Sequence, residues 1–195
     1  MKKLVFLFSI VLAVFTIYSF TINYKSIPKG WFPAGSNPSE YEMGIDNSTF
    51  QNGHSCAYIK SKNPKENEFG TLMQTIDAKN YLGKRLQLSG YIKSKDIAGW
   101  SGMWMRIDGK EHQQLGFDNM RDRAIKGTTD WEKYSIVLDI PANSKSINYG
   151  VLLSGRGEVW FDNFQLKEVD QNVNVTNMVK ENKLPAKPIN LNFEE

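Results

Sequence analysis

The chain has 195 residues, 41% of them hydrophobic and 12% aromatic, which is enough for one buried core and excludes a chain disordered throughout. Cys56 is the only cysteine, so an internal disulfide and a multi-cysteine metal site are excluded. The net charge is +3, but residues 31–195 hold 20 basic against 21 acidic side chains, a balance that gives no support to a nucleic-acid surface.

Lys2 and Lys3 precede a charge-free apolar run, Leu4 to Phe20 (LVFLFSIVLAVFTIYSF). This layout predicts a hydrophobic helix in residues 1–23 that is a signal peptide or a membrane anchor. No A-x-A cleavage sequence and no lipoprotein cysteine follows, which favours an uncleaved single-pass anchor in the cell membrane. The positive-inside rule then places the domain extracytoplasmically; cleavage of the leader would make it secreted. Residues 24–30, YKSIPKG, read as a linker.

Trp31 to Pro38 (WFPAGSNP) sets large aromatics beside turn formers and reads as an ordered, aromatic-anchored loop, after which the pattern is short and alternating. Tyr41 to Asp46 predicts a first strand, Asn52-Gly53 a turn, and Ser55 to Ser61 (SCAYIKS) a second strand. Phe69 to Ala78 sets Leu72, Gln74 and Ile76 on one face and Thr71, Met73 and Thr75 on the other. Leu86 to Lys93 points Leu86, Leu88 and Ile92 inward. Gly102 to Gly109 points Met103, Met105 and Ile107 inward and leaves Trp104, Arg106 and Asp108 as an outward row. Leu115 to Met120 reads as a short strand, Arg121 to Trp131 as a loop, and Tyr134 to Ile140 as a strand ended by Pro141. Asn148 to Glu168 (NYGVLLSGRGEVWFDNFQLKE) reads as a β-hairpin turning at Ser154-Gly155-Arg156-Gly157. Roughly eight or nine strands with no interior helix predict an all-β, antiparallel two-sheet β-sandwich over residues 31–169. Residues 170–195 read as a linker-like tail, with an alternating segment at 189–193 (INLNF) that has strand character.

The order of these landmarks, from the Asn-Gly turn and SCAYIKS through FGTLMQTIDA, GKRLQLSGYIK and GTTDWEKYSIVLDIP to GEVWFDNFQL, resembles the galactose-binding-domain-like jelly rolls. The likeness is greatest to carbohydrate-binding modules appended to bacterial glycoside hydrolases. WFPAGSNPSEYEMGID and GMWMRIDG also resemble a narrower bacterial group labelled from fusion to transcriptional regulators, but the sequence has no helix-turn-helix pattern. The family commonly opens with N-x-x-F-E before Gly-Trp. Here that pattern stands at Asn190 to Glu194, which implies either a tail that folds back as an edge strand or the start of a second repeat.

A sugar site on such a sandwich needs aromatic rings to stack on a pyranose and planar polar groups for its hydroxyls. The outward positions Trp104, Arg106, Tyr91, Gln87 and Asp118 are the expected ligand-binding set, with Trp100 in the loop before them. Trp131 and Trp160 are expected in the scaffold. Asp162 resembles the position from which some of these modules hold a structural calcium ion, which needs roughly six to eight oxygen ligands; no other cofactor is implied.

No catalytic residue is indicated. His54 and His112 lack metal spacing, no G-x-S-x-G elbow exists, and Glu40 with Glu42 or Asp118 with Asp122 have the character of solvated carboxylates. A thiol nucleophile at Cys56 would have only His54 nearby in sequence, and a buried apolar role is favoured. The functional expectation is a non-catalytic, extracytoplasmic, membrane-tethered carbohydrate-binding-like module whose partner is carbohydrate or cell-wall glycan, with no nucleic acid. The alternative is a protein-interaction or sensory ectodomain that uses a loop surface such as Trp31 to Asp46.

Overall fold

A computed structural model of the chain describes residues 26–179, 187, 190–192 and 194. The expected leader helix lies outside them, and no helix among the described residues is long and apolar enough to cross a membrane. Nine strands build the domain: β1 Phe32–Gly35, β2 Tyr41–Asp46, β3 Cys56–Ser61, β4 Phe69–Asp77, β5 Arg85–Asp108, β6 Gln114–Asp118, β7 Ile125–Asp139, β8 Ser146–Ser154 and β9 Glu158–Val169. Every pairing is antiparallel, giving the expected jelly-roll sandwich.

Strand β5 corrects the sequence reading. The two strands and intervening loop expected between Leu86 and Gly109 are one strand of 24 residues. Straight, it would run about 80 Å at about 3.3 Å per residue, whereas a domain of this size has a radius of gyration of about 15 Å. It must therefore bend, and its pairing register shifts repeatedly between Ile92 and Ser101, with Asp96 at φ 52°. Before the bend β5 lies between β7 and β9; after it, β5 pairs with β8 and β6. One layer is thus β2-β3-β9-β5-β7, the other β1-β4-β8-β5-β6, and β5 belongs to both.

The expected hairpin at Asn148 to Glu168 is also corrected. β8 and β9 do not pair with each other; both flank β5, so the turn between them carries the chain from one layer to the other. The turn chemistry is as expected, with Gly155 and Gly157 at φ 75° and 135°. Its backbone abuts the bend of β5: a Cβ on Gly99 would run into the Ser154 carbonyl oxygen, and one on Gly157 into Ile97. The Ala98 amide donates to the Arg156 carbonyl at 3.0 Å.

A single core fills the space between the layers. Leu86, Leu88 and Ile92 enter it from one half of β5, and Met103, Met105 and Ile107 from the other, with Leu72, Val151, Leu153 and Phe161. The loop expected at Arg121 to Trp131 is mostly strand, because β7 begins at Ile125 and follows the bend of β5, with Gly127 opposite Ile97 and Thr129 opposite Ser94. Its polarity suits a ribbon whose Lys126, Gly127 and Thr128 are exposed.

Residues 170–179 are not a free linker. The Thr176 amide donates to the Val137 carbonyl (2.9 Å) and its hydroxyl accepts from the Val137 amide (3.0 Å). The Met178 amide donates to the Phe117 carbonyl (2.7 Å), and Asn177 Oδ1 accepts from the Phe117 amide (3.0 Å). The segment thereby satisfies open backbone groups on β7 and β6, which would otherwise be exposed edges. The strand expected at 189–193 lies partly outside the described residues, and Leu191 and Asn192 lie in a turn. Truncation after Val169 should cost about 3 kcal/mol from the lost hydrogen bonds and lower the melting temperature by roughly 10 °C. Truncation after Val179 is expected to leave these contacts intact. Equal melting temperatures for the two truncations would show that the 170–179 contacts contribute nothing.

Candidate functional site

Register places a defined set of side chains on the outer face of the β1-β4-β8-β5-β6 layer, because directly paired residues on neighbouring strands project to the same side. Phe69, Ser154 and Trp100 form one row; Thr71, Leu152 and Gly102 the next; then Met73, Gly150 and Trp104; then Thr75, Asn148 and Arg106. Phe117 continues the last row from β6, and Ala34 extends the second from β1. Gly102 and Gly150 permit close packing there: a Cβ on Gly150 would run into the Leu72 carbonyl oxygen, and one on Gly102 would crowd the Asn119 carbonyl oxygen and Met120. The face forms the floor of a cleft of about 1250 Å³.

Trp104 is 8% exposed, and its Nε1 donates to Thr71 Oγ1 at 2.8 Å while that hydroxyl donates to the Val151 carbonyl at 2.7 Å. The ring is thereby fixed as part of the floor. Trp100 lies within β5, opposite Ser154, rather than in the loop expected for it. Arg121 covers its ring, with the guanidinium carbon 4.7 Å from the ring centroid. Arg106 is held in place by Asp108, whose Oδ2 accepts from Nε (3.1 Å) and Nη2 (2.9 Å) and also from Asn148 Nδ2 (2.9 Å).

The structure brings together Trp100, Trp104 and Arg106 from the expected set and separates the other three. Tyr91 and Gln87 do face outward, but from the other half of β5, where they pair with Asp162 and Lys167 of β9. The core lies between them and the cleft. Asp118 pairs with Met105, an inward residue, and its side chain is fully buried. Its carboxylate accepts from Arg123 Nη2 (2.6 Å) and Nη1 (3.2 Å) and from the Met120 amide (2.8 Å). It is a scaffold anion; its neighbour Phe117 faces the cleft. Sequence reasoning missed Phe117, Met73, Arg121 and Arg156 as cleft residues. Alternation on β4 grouped Met73 with Thr71 and Thr75; on β6 the outward reading of Asp118 turned Phe117 inward, and nothing local pointed to the arginines.

Trp131 and Trp160 pack with Cys56 and Tyr58 in a small cluster separate from the main core. Trp160 Nε1 donates to Asp46 Oδ2 at 2.9 Å. Partial burial acts to raise the Asp46 pKa, but bonds from Ser48, Trp160 and Thr49 outweigh it and hold the carboxyl at about 2. Trp31 of the alternative loop surface is engaged in the fold, against Tyr149, Phe161 and Phe164 at centroid distances of 5.9 Å.

Asp162 does not fit the calcium role. Its Oδ2 accepts from the Gln51 and Asn52 amides (both 3.1 Å) and its Oδ1 from the Asn163 amide (2.7 Å), so N–H donors stand where a cation would. Among the described residues no group of three or more His, Cys, Asp or Glu side chains is placed to hold a metal ion. Asp162 instead pins the loop after β2. Beneath that loop the Cys56 thiol donates to the Thr49 carbonyl, and burial, reinforced by Asp46 and Asp162, pushes its pKa up to about 12.

No family model matches the chain. It is 46% identical over 168 residues, 86% of its length, to YbfP of Bacillus subtilis (strain 168), which bears the name of an uncharacterized HTH-type transcriptional regulator; the chain spans 57% of that protein. The described residues here are strands and short turns and include no α-helix. Among solved structures, the family 22 xylan-binding domain of Paenibacillus barcinonensis Xyn10C superposes with a TM-score of 0.53 at 16% identity, covering 74% of this chain and 88% of that one. A Stig cyclase from Fischerella sp. TAU superposes at 0.52 and 15% identity, covering 78% and 92%. These likenesses establish the fold: a galactose-binding-like jelly roll of the kind found in carbohydrate-binding modules.

A thiol kept protonated in this way is a poor nucleophile. At pH 8 the folded chain should react with a disulfide reagent at least about a hundredfold more slowly than the chain in denaturant. Immediate labelling of the folded protein would contradict the burial of Cys56.

Proposed function

We propose that the chain binds carbohydrate through the cleft on the β4-β8-β5 face, as a module without catalytic chemistry of its own. The observation that carries this reading is the floor itself: Trp104 fixed by Thr71, Trp100 four residues earlier on the same face of β5, and Arg106 held by Asp108. Flat apolar rings next to oriented planar donors match the two sides of a pyranose, its C–H face and its hydroxyl edge. The xylan-binding domain of Xyn10C supports the reading by analogy of fold. Because a cyclase shares the fold, the fold alone does not select a ligand; the cleft residues do.

The Leu4 to Phe20 run behind Lys2 and Lys3 supports a tether in the cytoplasmic membrane, with the domain outside and cell-wall glycan within reach. Protease added to intact protoplasts should then remove the domain; full protection would contradict this placement.

Trp100→Ala is the informative substitution, because Trp104 is too deeply built into the sheet to remove without loss of stability. With xylo-oligosaccharides as the first probe, Trp100→Ala should weaken binding about tenfold at an unchanged melting temperature, and Trp131→Ala should leave affinity as it was. Equal affinities for the parent and Trp100→Ala would remove the cleft from consideration.

A further inference from the structure

The charge of this domain is distributed in a way that its composition hides. Residues 26–179 hold eighteen Lys and Arg against eighteen Asp and Glu, a neutral total. Yet the whole chain has only five arginines, Arg85, Arg106, Arg121, Arg123 and Arg156, and all but Arg85 line the cleft. Lys65 and Lys126 join them, against only Glu66 and Asp122 as anionic lining residues. A neutral domain has gathered an excess of positive charge around one aromatic floor.

These cations are not equivalent. Arg123 is committed to Asp118 and Asp122, and Arg106 to Asp108. Arg121 and Arg156 have no carboxylate partner among the described residues. Both stand at the Trp100 end of the cleft: Arg121 over the Trp100 ring, and Arg156 two residues beyond Ser154, which pairs with Trp100. A guanidinium whose face rests on an indole keeps its N–H edge free, and that edge matches a carboxylate with two parallel hydrogen bonds, as a lysine ammonium does not. Solvated surface charge alone would not concentrate four of five arginines on one face.

We propose that the glycan taken by this cleft is acidic and carries carboxylates on its pyranose rings, that is, a polymer containing uronic acid, with Arg121 and Arg156 as the carboxylate-reading residues. The inference rests on the carbohydrate-binding reading above. The ring requirement comes from Trp100 and Trp104, which give the cleft its flat apolar floor, and the acidic requirement from the two arginines without a carboxylate partner among the described residues. A polyol-phosphate polymer would satisfy only the second, and a neutral xylan only the first.

The test uses the full chain in detergent with four probes: oligogalacturonate, the same oligosaccharide as its methyl ester, a glycerol-phosphate polymer and single-stranded DNA. Methyl esterification removes the charge and keeps the sugar, so the ratio of the two affinities reads the carboxylate alone. The acid should bind about tenfold more tightly than the ester at low salt, and the ratio should shrink as salt is raised. Arg121→Gln and Arg156→Gln should each lower the acid-to-ester ratio about threefold or more, at unchanged melting temperatures. Equal binding of acid and ester, or binding of neutral xylan alone, would overturn the proposal and leave carbohydrate binding standing. Tighter binding of the phosphate polymer or of DNA would also overturn it. No binding to any glycan by a chain that melts cooperatively would overturn both readings.

Discussion

The bend of β5 against the Ser154-to-Gly157 turn is the contact on which the rest of the molecule depends. One strand serves two sheets only if it can fold over between them, and it does so where Gly99 lies against the Ser154 carbonyl and Gly157 against Ile97. At both positions a side chain would collide with backbone, which has nowhere to move without unpairing a strand. The same crease sets the register of β8 and β9 on either half of β5, and therefore which residues face the core and which face the cleft. Trp100 sits at its edge, so the geometry of the proposed site is a direct consequence of how the strand turns.

The two outward faces that result have different chemistry. On one, Cys56, Tyr58 and Trp160 form a small apolar cluster, and Asp46 and Asp162 pin the overlying loop with backbone and side-chain donors. Those carboxylates, like the thiol, are occupied by structural bonds. On the other face the indoles, Met73 and Phe117 line the cleft, and the cations collect at its rim. Concave shape, fixed aromatic rings and uncommitted donors coincide only there among the described residues.

How much of this was legible in the sequence follows from the range of the forces involved. Alternation along a strand is local, so the inward positions Leu86, Leu88, Ile92, Met103, Met105 and Ile107 could be read directly. The partner of a strand is not local. A short connection with glycines suits a hairpin and a sheet-crossing corner equally well, and so β8 and β9 read as a pair although β5 stands between them. The same limit divided the expected site. Tyr91 and Trp104 are both outward by parity, but the bend puts their faces on opposite layers. Asp118 read as outward because its pairing with Met105 depends on a neighbour far along the chain. Arg121 and Arg156 gave no signal, since their relation to Trp100 exists only after the turn and the loop have been brought to the cleft.

The claim at the centre of this account is that the β4-β8-β5 face is the binding surface and the opposite face is scaffold. The five tryptophans sample both faces and the core, and each indole N–H gives its own resonance in a ¹H–¹⁵N spectrum. Titration with an oligogalacturonate should move the Trp100 and Trp104 indole signals and leave those of Trp131 and Trp160 in place. Shifts confined to Trp131 and Trp160 would contradict the account and move the site to the other sheet.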